Sequence, residues 1–178
     1  MMMKRYFRGF IDYEKEEKWI NEQSQKGRQL KKVFPFYYGF EEGGSEKYTY
    51  RIVLLPKDRQ DYLDFLESAG VEIVCIFNKW VYVRRKSIGE TFELYTNHAS
   101  KIIYYKQISH FYFYVLIFNL VAGILNLFLF FMGEGEKSDV NALSGLFNFF
   151  VVILLFFTFK KIHRKKKILQ QDHGIFAD

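Results

Sequence analysis

The spacing of apolar and polar positions changes character along this chain. Up to about residue 96, apolar side chains are interleaved with polar ones. From Ser109 the interleaving gives way to SHFYFYVLIFNLVAGILNLFLFFM, which breaks at GEGEKSD and resumes as VNALSGLFNFFVVILLFFTF. Neither apolar run holds a Lys, Arg, Asp or Glu. Each is close to the roughly 20 residues a helix needs to cross a ~30 Å hydrocarbon layer. Unpaired charge is costly in lipid, so charge-free runs of this length fit a membrane better than the core of a soluble protein. They predict a two-helix transmembrane hairpin. Helix one ends at Met132, residues 133–139 form a short extracellular loop, and residues 140–159 form helix two.

The interleaved part predicts shorter elements. Residues 4–12 read as a strand and YEKEEKWINEQSQKG as a helix. Asp12 is its N-cap, Trp19, Ile20 and Gln23 its inward stripe, and Gly27 its stop. Leu30 to Phe40 reads as a strand, FEEGGSEKY as a hairpin loop, and Tyr48 to Leu54 as a strand ending before Pro56. In that strand Tyr48, Tyr50, Ile52 and Leu54 share a face. Tyr62, Phe65, Leu66 and Ala69 recur at helical spacing and predict a helix from Asp58 to Ala69, stopped by Gly70. Val71 to Phe77 and Trp80 to Lys86 predict a hairpin across Asn78-Lys79, and Thr91 to Tyr95 a short edge strand. Helix, glycine and paired strands occur twice in succession, a faint internal echo. The fold class is therefore α+β. The simplest architecture with this order is a ferredoxin-like domain, a split βαβ arrangement, over residues 1–96. Asn97 is placed to cap a helix over 97–132 with no Gly or Pro before the apolar run, so the first transmembrane helix begins as a stalk.

Charge gives this hairpin a direction. The chain carries +6 overall, but its first 108 residues hold +4, the loop −2 and the segment from Lys160 onward +4. Lys/Arg-rich flanks stay in the cytoplasm. Both termini are thus expected in the cytoplasm, with residues 160–178 a basic tail. The basic balance is partly topological and does not require nucleic acid. The first residues lead straight into a strand-like stretch, unlike an export signal. One cysteine, Cys75, excludes an internal disulfide framework. His98, His110, His163 and His173 lack zinc-ligand spacing.

The most ordered polar pattern lies inside the apolar runs. Asn119, Gly123 and Asn126 stand at i, i+4 and i+7, and so do Asn141, Gly145 and Asn148. Each triplet falls on one helical face. Glycine lets backbones approach and asparagine bonds across helix pairs, so the two triplets read as a packing seam within the hairpin or a homo-oligomer. Without a carboxylate they suit a ligand or proton path less well. Lys160, Lys161, Arg164, Lys165, Lys166 and Lys167 form a polybasic run suited to anionic lipid. Glu41 and Glu42 beside Gly43-Gly44 read as a solvated turn. Tyr6 and Phe10 share a strand face, as in RNA-recognition sheets, but KYTYRIVLL lacks the matching signature, so an inward aromatic face is expected. No phosphate-loop, dinucleotide, zinc-protease or nucleophile-elbow motif occurs. No catalytic residue, cofactor or metal site is expected, and the chain does not read as an enzyme.

The blocks YEKEEKWINEQSQKG, LKKVFPFYYGFEEG, KYTYRI, the Asn78-Lys79-Trp80-Val81-Tyr82 turn and FELYTNHASKIIYYKQ occur in that order between Lys4 and Ile108. This ensemble resembles the DUF2812 family of bacterial membrane proteins. Arg28 and Val71 stand where members of that family carry Trp after the helix-ending glycines. The resemblance implies a two-helix protein of the bacterial cell membrane, often encoded beside PadR-type regulators, with a regulatory or stress-linked role and no catalytic residues to transfer. The expected partners are the lipid bilayer and a protein partner, a small ligand or a second copy. The expected function is a membrane-anchored regulatory or interaction protein. The alternative is an accessory transporter subunit or an immunity factor acting through the hairpin.

Overall fold

The computed structural model describes residues 3–42, 47–56, 58–87, 92–95 and 98–175, apart from the side chains of residue 98 and of residues 173–175. The chain divides into two units, Met1–Leu94 and Tyr95–Asp178. The first is α+β. Its elements are β1 (Met3–Phe7), α1 (Tyr13–Gln25), β2 (Arg28–Phe34), β3 (Tyr37–Glu42), β4 (Tyr48–Leu54), α2 (Arg59–Ser68), β5 (Glu72–Phe77) and β6 (Trp80–Lys86). The second holds two helices, α3 (His98–Met132) and α4 (Glu136–Ile175).

The strands do not join into the single ferredoxin-like sheet expected from their order. They form two three-stranded antiparallel sheets, β1-β3-β2 and β4-β6-β5. Each is a split βαβ unit, with the third strand inserted between the two that the helix connects. The internal echo is thus a structural repeat. Gly27 and Gly70 close the two helices at φ 75° and 71°. Three residues on, the register slips at Leu30/Lys32 in β2 and at Ile73/Cys75 in β5. The two repeats differ at the following turn, where the positive φ falls on Asn78 (55°) in one and Phe36 (60°) in the other.

That turn corrects the strand expected over residues 30–40. Pro35 cannot donate to a ladder, so the run breaks into β2 and β3 about Pro35-Phe36. The hairpin expected at FEEGGSEKY is not one either. Residues 43–46 lie outside the described residues, and β3 and β4, on either side of them, belong to different sheets. The edge strand expected at 91–95 is absent from its described part, 92–95. Phe92 is nevertheless buried, and its carbonyl accepts a bond from Arg51 at 2.8 Å.

Helix α1 follows its sequence cues. Asp12 caps it by accepting the Glu14 N–H at 3.0 Å. Trp19, Ile20 and Gln23 are buried as expected, together with Tyr13, Glu16 and Ser24. Trp19 meets the rings of Tyr6, Phe10, Tyr38 and Phe40, so Tyr6 and Phe10 face the core. Ile20, Leu30, Phe40, Val81 and Val83 are fully buried. Each such side chain contributes about 1.5–3 kcal/mol. Helix α2 is looser, with Leu66 buried and Phe65 exposed, because its stripe meets little beyond β5.

In the second unit α3 runs unbroken from His98 to Met132, and α4 runs through the basic stretch instead of ending near Phe159. Lysine and arginine are good helix formers, and no Gly or Pro occurs between Phe159 and Gly174. The proposed cap Asn97 lies outside the described residues. Both helices are long and apolar enough to cross a membrane.

Candidate functional site

Both Asn-Gly-Asn triplets lie on the contact face of the helix pair. A Cβ at Gly123 would stand 3.3 Å from the Asn148 Cβ and from the Phe149 ring. A Cβ at Gly145 would stand 3.3 Å from the Leu127 side chain and 3.5 Å from the Asn126 Cβ. Each glycine therefore receives the neighbourhood of the other helix's asparagine. Asn119 and Asn141 lie half-buried on the same faces. The amides do not behave as the sequence suggested. Asn119, Asn126 and Asn148 donate to Val115, Ala122 and Ser144 carbonyls of their own helices, at 2.8, 2.9 and 2.9 Å. One turn back is the nearest acceptor a short amide can reach. Close backbone approach at the glycines, together with side-chain packing, makes the seam. Ser138 Oγ donates to the Phe130 carbonyl at 2.8 Å and ties the start of α4 to the end of α3.

The basic run becomes a helical surface. Lys160, Arg164 and Lys167 are exposed along one side of α4, and Lys161, Lys165 and Lys166 are half-buried.

In the α+β unit the polar geometry centres on α1. Glu17, Asn21 and Ser24 stand at i, i+4 and i+7 beside the apolar stripe and meet the open edge of β4. Glu17 accepts the Ile52 N–H at 2.9 Å. Asn21 accepts the Tyr50 N–H at 2.8 Å and donates to its carbonyl at 3.0 Å. Ser24 donates to the Tyr48 carbonyl at 2.8 Å. Helix side chains thus satisfy an edge where another strand would otherwise pair. Arg51 adds an ion pair to Glu17 at 2.9 Å. Burial pushes the Glu17 carboxyl up, against the pull of Arg51 and the Ile52 N–H. Outside this ladder runs an open groove of about 810 Å³, lined in part by Glu14, Lys18, Glu22, Lys47 and Arg51. It offers both signs of charge.

One position round α1, Glu16 is buried with no cation against it among the described residues. Its Oε1 accepts the Tyr38 hydroxyl at 2.8 Å from one sheet and the Tyr82 hydroxyl at 2.6 Å from the other. Burial pushes the carboxyl up and the two phenols pull it partly back. Both phenols are raised, first by burial and then by the carboxylate. The Cys75 thiol nearby is pushed up to about 12, mainly by burial. The arrangement keeps a carboxyl away from water and ties the two sheets together.

Sequence reasoning assigned none of Glu16, Glu17, Asn21, Ser24, Tyr38 or Tyr82 to a site. The spacing of Glu17, Asn21 and Ser24 was visible, but no local rule links it to a strand edge nearly thirty residues away. Glu41 and Glu42 pair with Lys31 and Lys4. No group of three His, Cys, Asp or Glu side chains is placed to hold a metal among the described residues.

A family model described as "Protein of unknown function (DUF2812)" matches residues 12–117. The match opens at the α1 cap, covers both repeats apart from β1, and ends two residues short of Asn119. No curated protein matches the chain, and no solved structure does. With well over half of its length matched, from Asp12 into α3, the chain belongs to the DUF2812 family.

Proposed function

We propose that this is a membrane-anchored interaction protein. In this reading α3 and α4 form a hairpin in the bacterial cell membrane with both termini in the cytoplasm. The α+β unit then binds a protein partner or small ligand at the inner surface, and the protein has no catalytic role. The observation that carries the reading is the exposure of the helix pair. Phe118, Phe131, Leu143 and Phe157 are each at least 65% exposed, on helices whose inner faces already pack against each other. An apolar surface of that extent calls for lipid or a partner. The mixed-charge groove beside α1 is the surface best suited to the bound partner.

An accessory transporter subunit or immunity factor would work through the hairpin and needs polar groups turned outward. The amides bonded within their own helices favour packing instead. The test is crosslinking of the tagged chain in its native membrane, purification in mild detergent and identification of what accompanies it. Lys18→Glu with Lys47→Glu is expected to remove the partner while the protein stays in the membrane fraction. The same companions recovered at undiminished yield would rule the groove out. Loss of the companions on Gly123→Leu instead would favour the hairpin as the active part.

A further inference from the structure

The outer face of sheet β1-β3-β2 carries a feature the fold does not require. Phe7, Tyr37 and Phe34 lie in one row across the three strands, with ring centres 5.7 and 6.1 Å apart. Phe36 projects at the turn beside them. Phe7, Phe34 and Phe36 are 78%, 55% and 71% exposed. Phe36 adopts a left-handed backbone, which a bulky aromatic rarely does. The second repeat puts its left-handed residue at the other central position of the turn, on Asn78, a residue suited to it. Strain and exposure at one aromatic together point to use rather than packing.

The next row inward is Arg5, Gly39 and Lys32. Arg5 and Lys32 are exposed and have no carboxylate within ion-pair distance among the described residues. The strand segments around the tip, Lys4 to Gly9 and Arg28 to Tyr38, hold six cations and no acid. Acids appear only at the far end of β3, where Glu41 and Glu42 are paired. Aromatic rings backed by unopposed cations match the membrane interface, where rings settle at headgroup depth and anionic lipid attracts Lys and Arg.

We propose that this tip, formed by Phe7, Phe34 and Phe36 with Arg5 and Lys32, docks the α+β unit onto an anionic lipid surface. The inference rests on the membrane-anchored reading above, which keeps such a surface within reach of the tip. Docking sets the orientation in which the α1 groove meets its partner.

The full chain, reconstituted into phosphatidylcholine vesicles with or without phosphatidylglycerol, tests this. The lipids are brominated near the headgroup, and tryptophan is introduced as Phe36→Trp, or as Phe34→Trp, which needs no positive φ. Native Trp19 and Trp80 supply the background, measured in the unsubstituted chain. Reporter emission is expected to be quenched by brominated lipid beyond that background when phosphatidylglycerol is present. Arg5→Gln with Lys32→Gln is expected to lower the docked-to-undocked ratio about fivefold per cation removed. Flotation with the vesicles checks anchoring separately. A chain that floats while both reporters remain unquenched overturns the docking and leaves the anchoring intact. A blue-shifted but unquenched reporter also overturns it, because the tip then lies against protein. A chain that fails to float removes the anchoring, and the inference falls with it.

Discussion

Glu16 shows how one side chain makes the α+β unit depend on pH. Its ordinary value is 4.5, and burial raises it in the folded state. Between those two values the folded protein holds a proton that the unfolded chain has lost. Stability therefore falls as pH rises through that window and levels off above the folded value. Glu17 acts in the same direction. Glu16→Gln is expected to flatten the stability profile above pH 4.5 without abolishing it, as read by urea unfolding at stepped pH. A slope as steep as the parent's would show that Glu16 does not titrate there. Phe36 is the second residue of note. Left-handed backbone costs an L-residue about 1–2 kcal/mol. Phe36→Gly is expected to gain about 1 kcal/mol, less than the full strain because glycine loses more chain entropy. At about 4–8 °C per kcal/mol for a domain of this size, thermal melting resolves the rise. An unchanged or lower midpoint would mean the Phe36 ring stabilises the turn through its contact with Gly9.

Single elements settle which surfaces are left over for function. Helix α1 buries an apolar stripe and, one position round, covers the open edge of β4. Asn21 is the centre of that cover, bonding both polar groups of Tyr50. Asn21→Leu strands both groups, and each buried unsatisfied group costs about 1–3 kcal/mol. The variant is expected to lose at least that much stability and to form higher oligomers in size-exclusion chromatography through the exposed edge. A monodisperse variant of parental stability would show that water replaces the amide at no cost. In the helix pair, glycine and asparagine part company. Gly123→Leu forces a side chain into a 3.3 Å contact and is expected to weaken the pair, seen as an earlier midpoint on titration with a denaturing detergent. Asn126→Leu removes only an amide bonded to its own helix, a loss of about 0.6 kcal/mol or less by the usual worth of such bonds. Equal losses from both variants would contradict a seam built on backbone approach.

At the scale of the whole molecule, the exposed apolar faces of α3 and α4 set the outcome. The membrane fraction is expected to retain the protein through washes in high salt and alkaline carbonate and to release it only to detergent, as followed by immunoblot. Release by salt alone would mean that the basic surface of α4, not its apolar length, holds the protein. The sequence alone determined a good deal. Apolar runs, free of charge and long enough for lipid, defined both helices. The Asp12 cap, the apolar stripe of α1, the glycine stops and the Asn78-Lys79 turn are local chemistry and were legible, as was the doubled helix-glycine-hairpin pattern. Tertiary structure alone decided the rest. Whether β4 joins the first sheet or begins a second depends on α1 side chains that occupy its edge. The burial of Glu16 and its two phenol donors depend on strands that arrive from two sheets. Asn119, Asn126 and Asn148 turn to their own helices because the nearest acceptor lies one turn back. Periodicity records which face of an element is buried, whereas the partner on that face is fixed only when distant segments compete for the same hydrogen bonds.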